Sequence, residues 1–142
     1  MSFDLRIVNN DLSINPDGSI QTVQDNNKLA QDIIKAVLTP LGSNRFFRWY
    51  GSTVGFNTIG EVLDATLTQT EMQRAVQNTL SNIIALQRTQ ARSQYVSPGE
   101  TIASVREVSV IRDSTDPRQY QIVISVLTRQ LTVVEETFIL RV

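Results

Sequence analysis

Between Asp11 and Val23, apolar and polar residues alternate on either side of Asn15-Pro16-Asp17-Gly18. Proline presets one turn dihedral and glycine accepts the unusual one, so this stretch predicts a short hairpin. The period then changes. Leu29, Ile33, Ile34, Val37 and Leu38 recur at three- and four-residue spacing, which predicts a helix with one buried face, and Asp25 stands where its N-cap belongs. Pro40 ends it, because the residue before a proline is pushed out of the helical region, and Gly42 reverses the chain.

Two further helix starts follow. Thr58 with Glu61, then Thr68 with Glu71, each place a hydroxyl three residues before a glutamate that can bond back, the pattern of a capping box. The second opens the longest helix, Gln69 to Ala91, roughly 34 Å at 1.5 Å per residue. Its apolar set, including Met72, Val76, Leu80 and Ile83, is broad enough for a central core helix. Ser97-Pro98-Gly99 breaks the pattern, and Val, Ile and Thr dominate thereafter. Ile102 to Arg112 predicts one strand, Asp113 to Arg118 turns it, and Tyr120, Ile122, Ile124 and Val126 alternate along a second. The last segment, Glu135 to Val142, runs extended with Phe138, Leu140 and Val142 on one face. A hairpin, two to three helices and a terminal antiparallel sheet with an exposed edge strand make an α+β fold. No repeat or linker interrupts it, so residues 1–142 read as a single domain.

Composition narrows what such a fold can do. A chain of 142 residues suits one hydrophobic core. The formal net charge of -1 and pI near 5.4 argue against nucleic acid, whose binders carry a basic excess. Of the 13 basic residues only Lys28 and Lys35 are lysines, a skew that codon usage or an arginine-rich protein interface explains equally well. The start lacks a basic stretch followed by an apolar run, and no window approaches the ~18 apolar residues of a membrane span. The expectation is a soluble, cytosolically made protein.

The chain contains neither histidine nor cysteine, which removes serine and cysteine triads and thiolate zinc sites. Gly51 to Gly55 lacks the Gly-Lys-Ser/Thr of a phosphate cradle. Asp113 and Asp116 suit a turn better than a calcium loop. A glycosidase needs only two carboxylates; Glu61, Glu71 and Glu100 are the candidates, the first two already explained as caps and the third as a turn residue. Neither a cofactor nor a catalytic residue is expected.

The order of parts now resembles a known family. Asp11 to Ile20, then Lys28 to Gly42, a loop closing on Trp49-Tyr50-Gly51, a long helix and a Val/Ile-rich sheet are similar to the baseplate wedge protein of contractile phage tails. This family is also called the sheath initiator, and it has counterparts in contractile injection systems. Leu29, Gln31, Leu38, Thr39, Gly42, Tyr50 and Gly51 carry the likeness most specifically. It implies sixfold copies at the virion tail baseplate, assembled in the host cytoplasm. The implied partners are the tail sheath protein and other baseplate wedge proteins, with the tail tube or hub as a further contact. The family's acidic-Pro-Arg triplet falls on Ser104, Val105 and Arg106, of which Arg106 alone matches. Some members carry a lysozyme label, to which the carboxylates above give no support; a tail-associated peptidoglycan hydrolase and, separately, a generic tail-completion adaptor stand as alternatives.

The interaction residues expected on this reading fall in three places. At the carboxyl end, Glu136, Phe138, Leu140 and Val142 lie on an edge strand that an incoming sheath strand could extend, while Glu135 and Glu136 discourage indiscriminate pairing. Arg106 offers a bidentate fork. In the loop from Thr39 to Gly55, Arg45, Arg48, Trp49 and Tyr50 combine aromatic and cationic surface as binding hot spots do. The rival reading of that loop has Phe46 and Trp49 lidding the domain core, leaving Arg48 as the contact.

Overall fold

The computed structural model describes residues 2–54 and 65–142. Near the amino terminus, β1 (Asp4–Leu5) pairs antiparallel with β4 (Thr22–Val23), and β2 (Ile7–Val8) with β3 (Asp11–Leu12). The strands cross-link where Arg6, Ser13 and Gln21 meet in three backbone hydrogen bonds of 2.8–2.9 Å. The expected turn forms at Asn15 to Gly18, closed by Asn15 N–H donating to Ser19 O at 2.8 Å, with Gly18 at φ 85°. A second turn that the alternation did not announce lies at Asn9-Asn10, with φ 52° and 65°. Both values are positive, as a two-residue hairpin turn requires and asparagine tolerates.

The first helix, α1 (Asp25–Leu38), buries Leu29, Ile33, Ala36 and Val37. Asp25 does not cap it. Gln24 occupies the cap position without a side-chain bond, while Asp25 adopts φ 50° and its carboxylate accepts from the Ser97 hydroxyl at 2.5 Å. The aspartate therefore ties the helix start to the loop before the sheet. The second helix, α2 (Ala65–Gln90), is already helical at Ala65. Thr68 is consequently an interior, buried residue, and Thr68 with Glu71 does not form the helix start. The Thr58–Glu61 box lies outside the described residues.

Three long strands follow, β5 (Ile102–Arg112), β6 (Gln119–Thr128) and β7 (Val133–Arg141), in an antiparallel sheet ordered β5-β6-β7. Both helices cover one face of it, α2 against β5 and α1 against β7. Between the layers, Leu29, Ile33, Val76, Leu80, Ile122 and Val126 are at most 1% exposed. Each such aliphatic side chain contributes roughly 1.5–3 kcal/mol of transfer free energy. The α+β arrangement read from the sequence is the one observed.

Candidate functional site

The parity of β7 decides which of its groups are free. Thr128 N–H donates to Thr132 O, and Val142 N–H to Arg118 O, both at 2.9 Å. In an antiparallel pair, residues that exchange both bonds alternate with residues that turn away. Even-numbered residues of β7 therefore bond to β6. The N–H and C=O groups of Val133, Glu135, Thr137, Ile139 and Arg141 point away from it, and no hydrogen bond among the described residues reaches them.

The opposite edge is different. Val108 O, turned away from β6, accepts from Gln73 Nε2 on α2 at 2.9 Å, and two register shifts interrupt β5 at Ile102/Ser104 and Val105/Glu107. Bulges and a covering helix blunt a strand edge. The edge open to an added strand is thus that of β7.

Side chains divide by the same parity. Phe138 and Leu140 pack against the core, so these two predicted contact residues brace the strand from within, and Val142 is half-buried beyond them. The exposed side chains of β7 are Val133, Glu135, Thr137, Ile139 and Arg141. Both faces carry large apolar residues, so alternation alone did not say which one turns inward.

Glu136 shares the inner face with Val134 and Phe138 and looks into a groove of about 1320 Å³. The hairpin forms one wall, through Arg6 to Asn10; α1 supplies Ala30, Gln31, Ile34 and Leu38; Ser43, Asn44 and Tyr50 close one end. Burial raises the Glu136 carboxyl above its ordinary range. No described cation or hydrogen-bond donor reaches it.

The hairpin wall is held to α1 chiefly by Gln31. Gln31 Oε1 accepts from Ile7 N–H at 2.9 Å, and its Nε2 donates to Leu5 O at 2.7 Å and to Asp4 at 3.0 Å. Lys35 completes the attachment through ion pairs to Asp4 and, at 3.1 Å, to Asp32. Burial alone would raise the Asp4 carboxyl, but the Lys35 contact and the bonds from Leu5 and Gln31 hold it below its usual value. Lys35 shifts the other way, raised because its two carboxylates outweigh its own desolvation.

The aromatic loop projects more than the lidding alternative allows. Phe46 is 88% exposed and Trp49 44%, so neither closes the core, and the half-buried ring that packs against it is Tyr50. Phe47 and Trp49 meet edge to face at 5.8 Å, and Trp49 and Tyr50 at 6.4 Å. Arg45 and Arg48 are exposed. Asn44 Oδ1 organises the tip by accepting from the Phe46 and Phe47 N–H groups at 3.0 and 3.1 Å. At its base the loop is clamped to α2, with Asn82 donating to Trp49 O and Thr79 to Gly51 O.

Arg106 stands between the paired residues Val105 and Glu107, at a bulge of β5, and is exposed. A small cavity of about 280 Å³ there is lined also by Gln77 and Ser81 of α2. Since β6 separates β5 from β7, Arg106 and the open edge belong to different surfaces. Asp113 and Asp116 spend their carboxylates on turn bonds to Thr115, Asp116 and Arg118 N–H groups.

Among the carboxylates weighed for hydrolysis, Glu61 lies outside the described residues and Glu71 is exposed on α2. Glu100 is 3% exposed; its Oε1 accepts from Ser97 N–H at 3.2 Å, and Lys28 Nζ lies 3.8 Å from Oε2. Its backbone is bonded to Gln87, which puts it about 24 Å along α2 from Glu71 at 1.5 Å per residue. A retaining or inverting pair stands about 5–9.5 Å apart. Glu71 and Glu100 therefore cannot act as one.

The described residues thus form a two-layer α+β arrangement with one open sheet edge, an adjoining groove and a projecting aromatic loop. The chain matches in structure a "putative tail lysozyme" from Geobacter sulfurreducens, with a TM-score of 0.58 over 80% of this chain and 87% of that one, at 13% identity. At that identity the likeness shows a shared fold. No family model matches the chain, and no curated protein sequence matches it.

Proposed function

We propose that the protein is a structural baseplate wedge subunit of a contractile phage tail or injection system, and that it templates the first sheath ring by strand addition along β7. The observation that carries this reading is the row of outward-facing backbone groups from Val133 to Arg141 beside the groove. A sheath arm laid there would exchange bonds worth about 1 kcal/mol each, and repetition around a ring makes modest contacts firm through effective concentration. The fold shared with a tail-named protein and the resemblance of nearly the whole chain to wedge proteins support the same placement. In this reading Arg45, Arg48 and Trp49, and separately Arg106, contact other wedge proteins.

The test removes one outward donor without touching the β6 ladder. Thr137→Pro deletes an N–H on the open side of an edge strand, a position where proline is tolerated. The subunit should remain folded by circular dichroism, while sheath assembly on purified baseplates falls sharply. Undiminished assembly would show that this edge is not the template. The neighbour's name supplies the one reason to keep a second reading, a peptidoglycan hydrolase. Clearing of cell-wall suspensions by the purified protein, lost on Glu61→Gln or Glu71→Gln, would replace the structural reading with it.

A further inference from the structure

Glu136 is a half-buried carboxylate on the inner face of an edge strand, with neither an ion pair nor a hydrogen bond to its side chain among the described residues. An ionised carboxylate only accepts. The other charged groups lining the groove are Arg6 and Lys35; Arg6 donates to Gln21 at 3.2 Å, and Lys35 is held by Asp4 and Asp32. A strand added to β7 would cover Glu136 further, and a buried charge left without a partner is strongly unfavourable. The occupant must bring the missing charge.

Resting on the strand-addition reading above, we propose that the incoming strand carries an arginine or lysine on its inner face opposite Glu136, flanked by apolar residues that cover Ile34 and Leu38. Ile34 is half-buried and Leu38 is 51% exposed, so the groove offers apolar cover on one side of the carboxylate. Even-numbered residues of β7 send their own bonds to β6, which makes the position facing Glu136 a non-hydrogen-bonded pair, where side chains approach most closely. The same carboxylate rejects a second copy of this chain, since another β7 would bring its own Glu136 to the same inner face. Glu136 thus selects the partner as well as blunting the edge.

A tethered strand tests this on the full chain. A short Gly/Ser linker after Val142 is followed by an alternating Thr/Val strand with one lysine, moved through successive inward positions, and a matched series carries glutamate instead. The tether supplies a high effective concentration. One lysine register should protect the Glu135, Thr137 and Ile139 amides from hydrogen exchange and melt about 2–4 °C above its glutamate counterpart. That difference should vanish in Glu136→Gln. Equal protection by both series would overturn the charge selection and leave strand addition standing, as would a lysine preference that persists in Glu136→Gln. Absence of protection by every strand would overturn both.

Discussion

Replacing Gly51 by alanine should cost far more than the same change at Gly42, because the two glycines turn the chain under different constraints. Gly51 sits at φ 113°, where an added Cβ would lie 2.6 Å from Thr39 O and 2.9 Å from Pro40 O. Backbone strain of this kind costs about 1–3 kcal/mol. Both obstructing atoms are main-chain carbonyls, so relief requires the Pro40–Ser52 bridge to part. That bridge comprises Ser52 N–H to Thr39 O at 2.8 Å and Leu41 N–H to Ser52 O at 2.9 Å, each worth about 1 kcal/mol.

The sum is about 3–5 kcal/mol, or a melting-temperature loss on the order of 10 °C for a domain of this size. At Gly42, φ is 82° and the nearest atom to an added Cβ is Arg48 O at 4.0 Å, which leaves conformational strain of about 1–2 kcal/mol alone. Urea unfolding followed by circular dichroism measures both losses. Trp49, the single tryptophan, reports the loop by fluorescence in the same samples. Equal losses from Gly51→Ala and Gly42→Ala would refute the argument that close approach to the Thr39 and Pro40 carbonyls fixes Gly51.

Gln31→Ala removes three of the bonds that attach the hairpin to α1, leaving the Lys35–Asp4 pair; it should lower stability by about 1–2 kcal/mol and speed hydrogen exchange at the Ile7 amide, and unchanged exchange there would contradict the attachment. Glu136→Gln should raise the melting temperature at neutral pH, because burial lifts this carboxyl above its unfolded value of 4.5 and ionisation therefore opposes folding above the folded pKa. The gain should fade as pH falls through the folded pKa and vanish below 4.5, where both states hold the proton, and a gain independent of pH would point to packing instead. Arg48→Glu, at an exposed loop position, should leave the melting curve unchanged while impairing assembly with wedge proteins; large destabilisation without an assembly defect would assign the arginine to the fold.

Local chemistry alone determined much of this molecule. Apolar residues three and four apart placed α1, alternation placed the three long strands, and a proline-glycine pair placed the turn at Asn15 to Gly18, because each signal acts over a few neighbouring residues. The tertiary structure decided what depends on distant partners. Asp25 left its expected cap for Ser97, which is 72 residues away. Phe46 and Trp49 turned outward, and Tyr50 packs against the core instead. Glu136 became an unpartnered group in a groove only once the hairpin, α1 and β7 had been brought together. Alternation on β7 likewise named two faces, but the packing of α1 over Val134 and Phe138 chose the inner one, and the covering of β5 by α2 left β7 as the open edge.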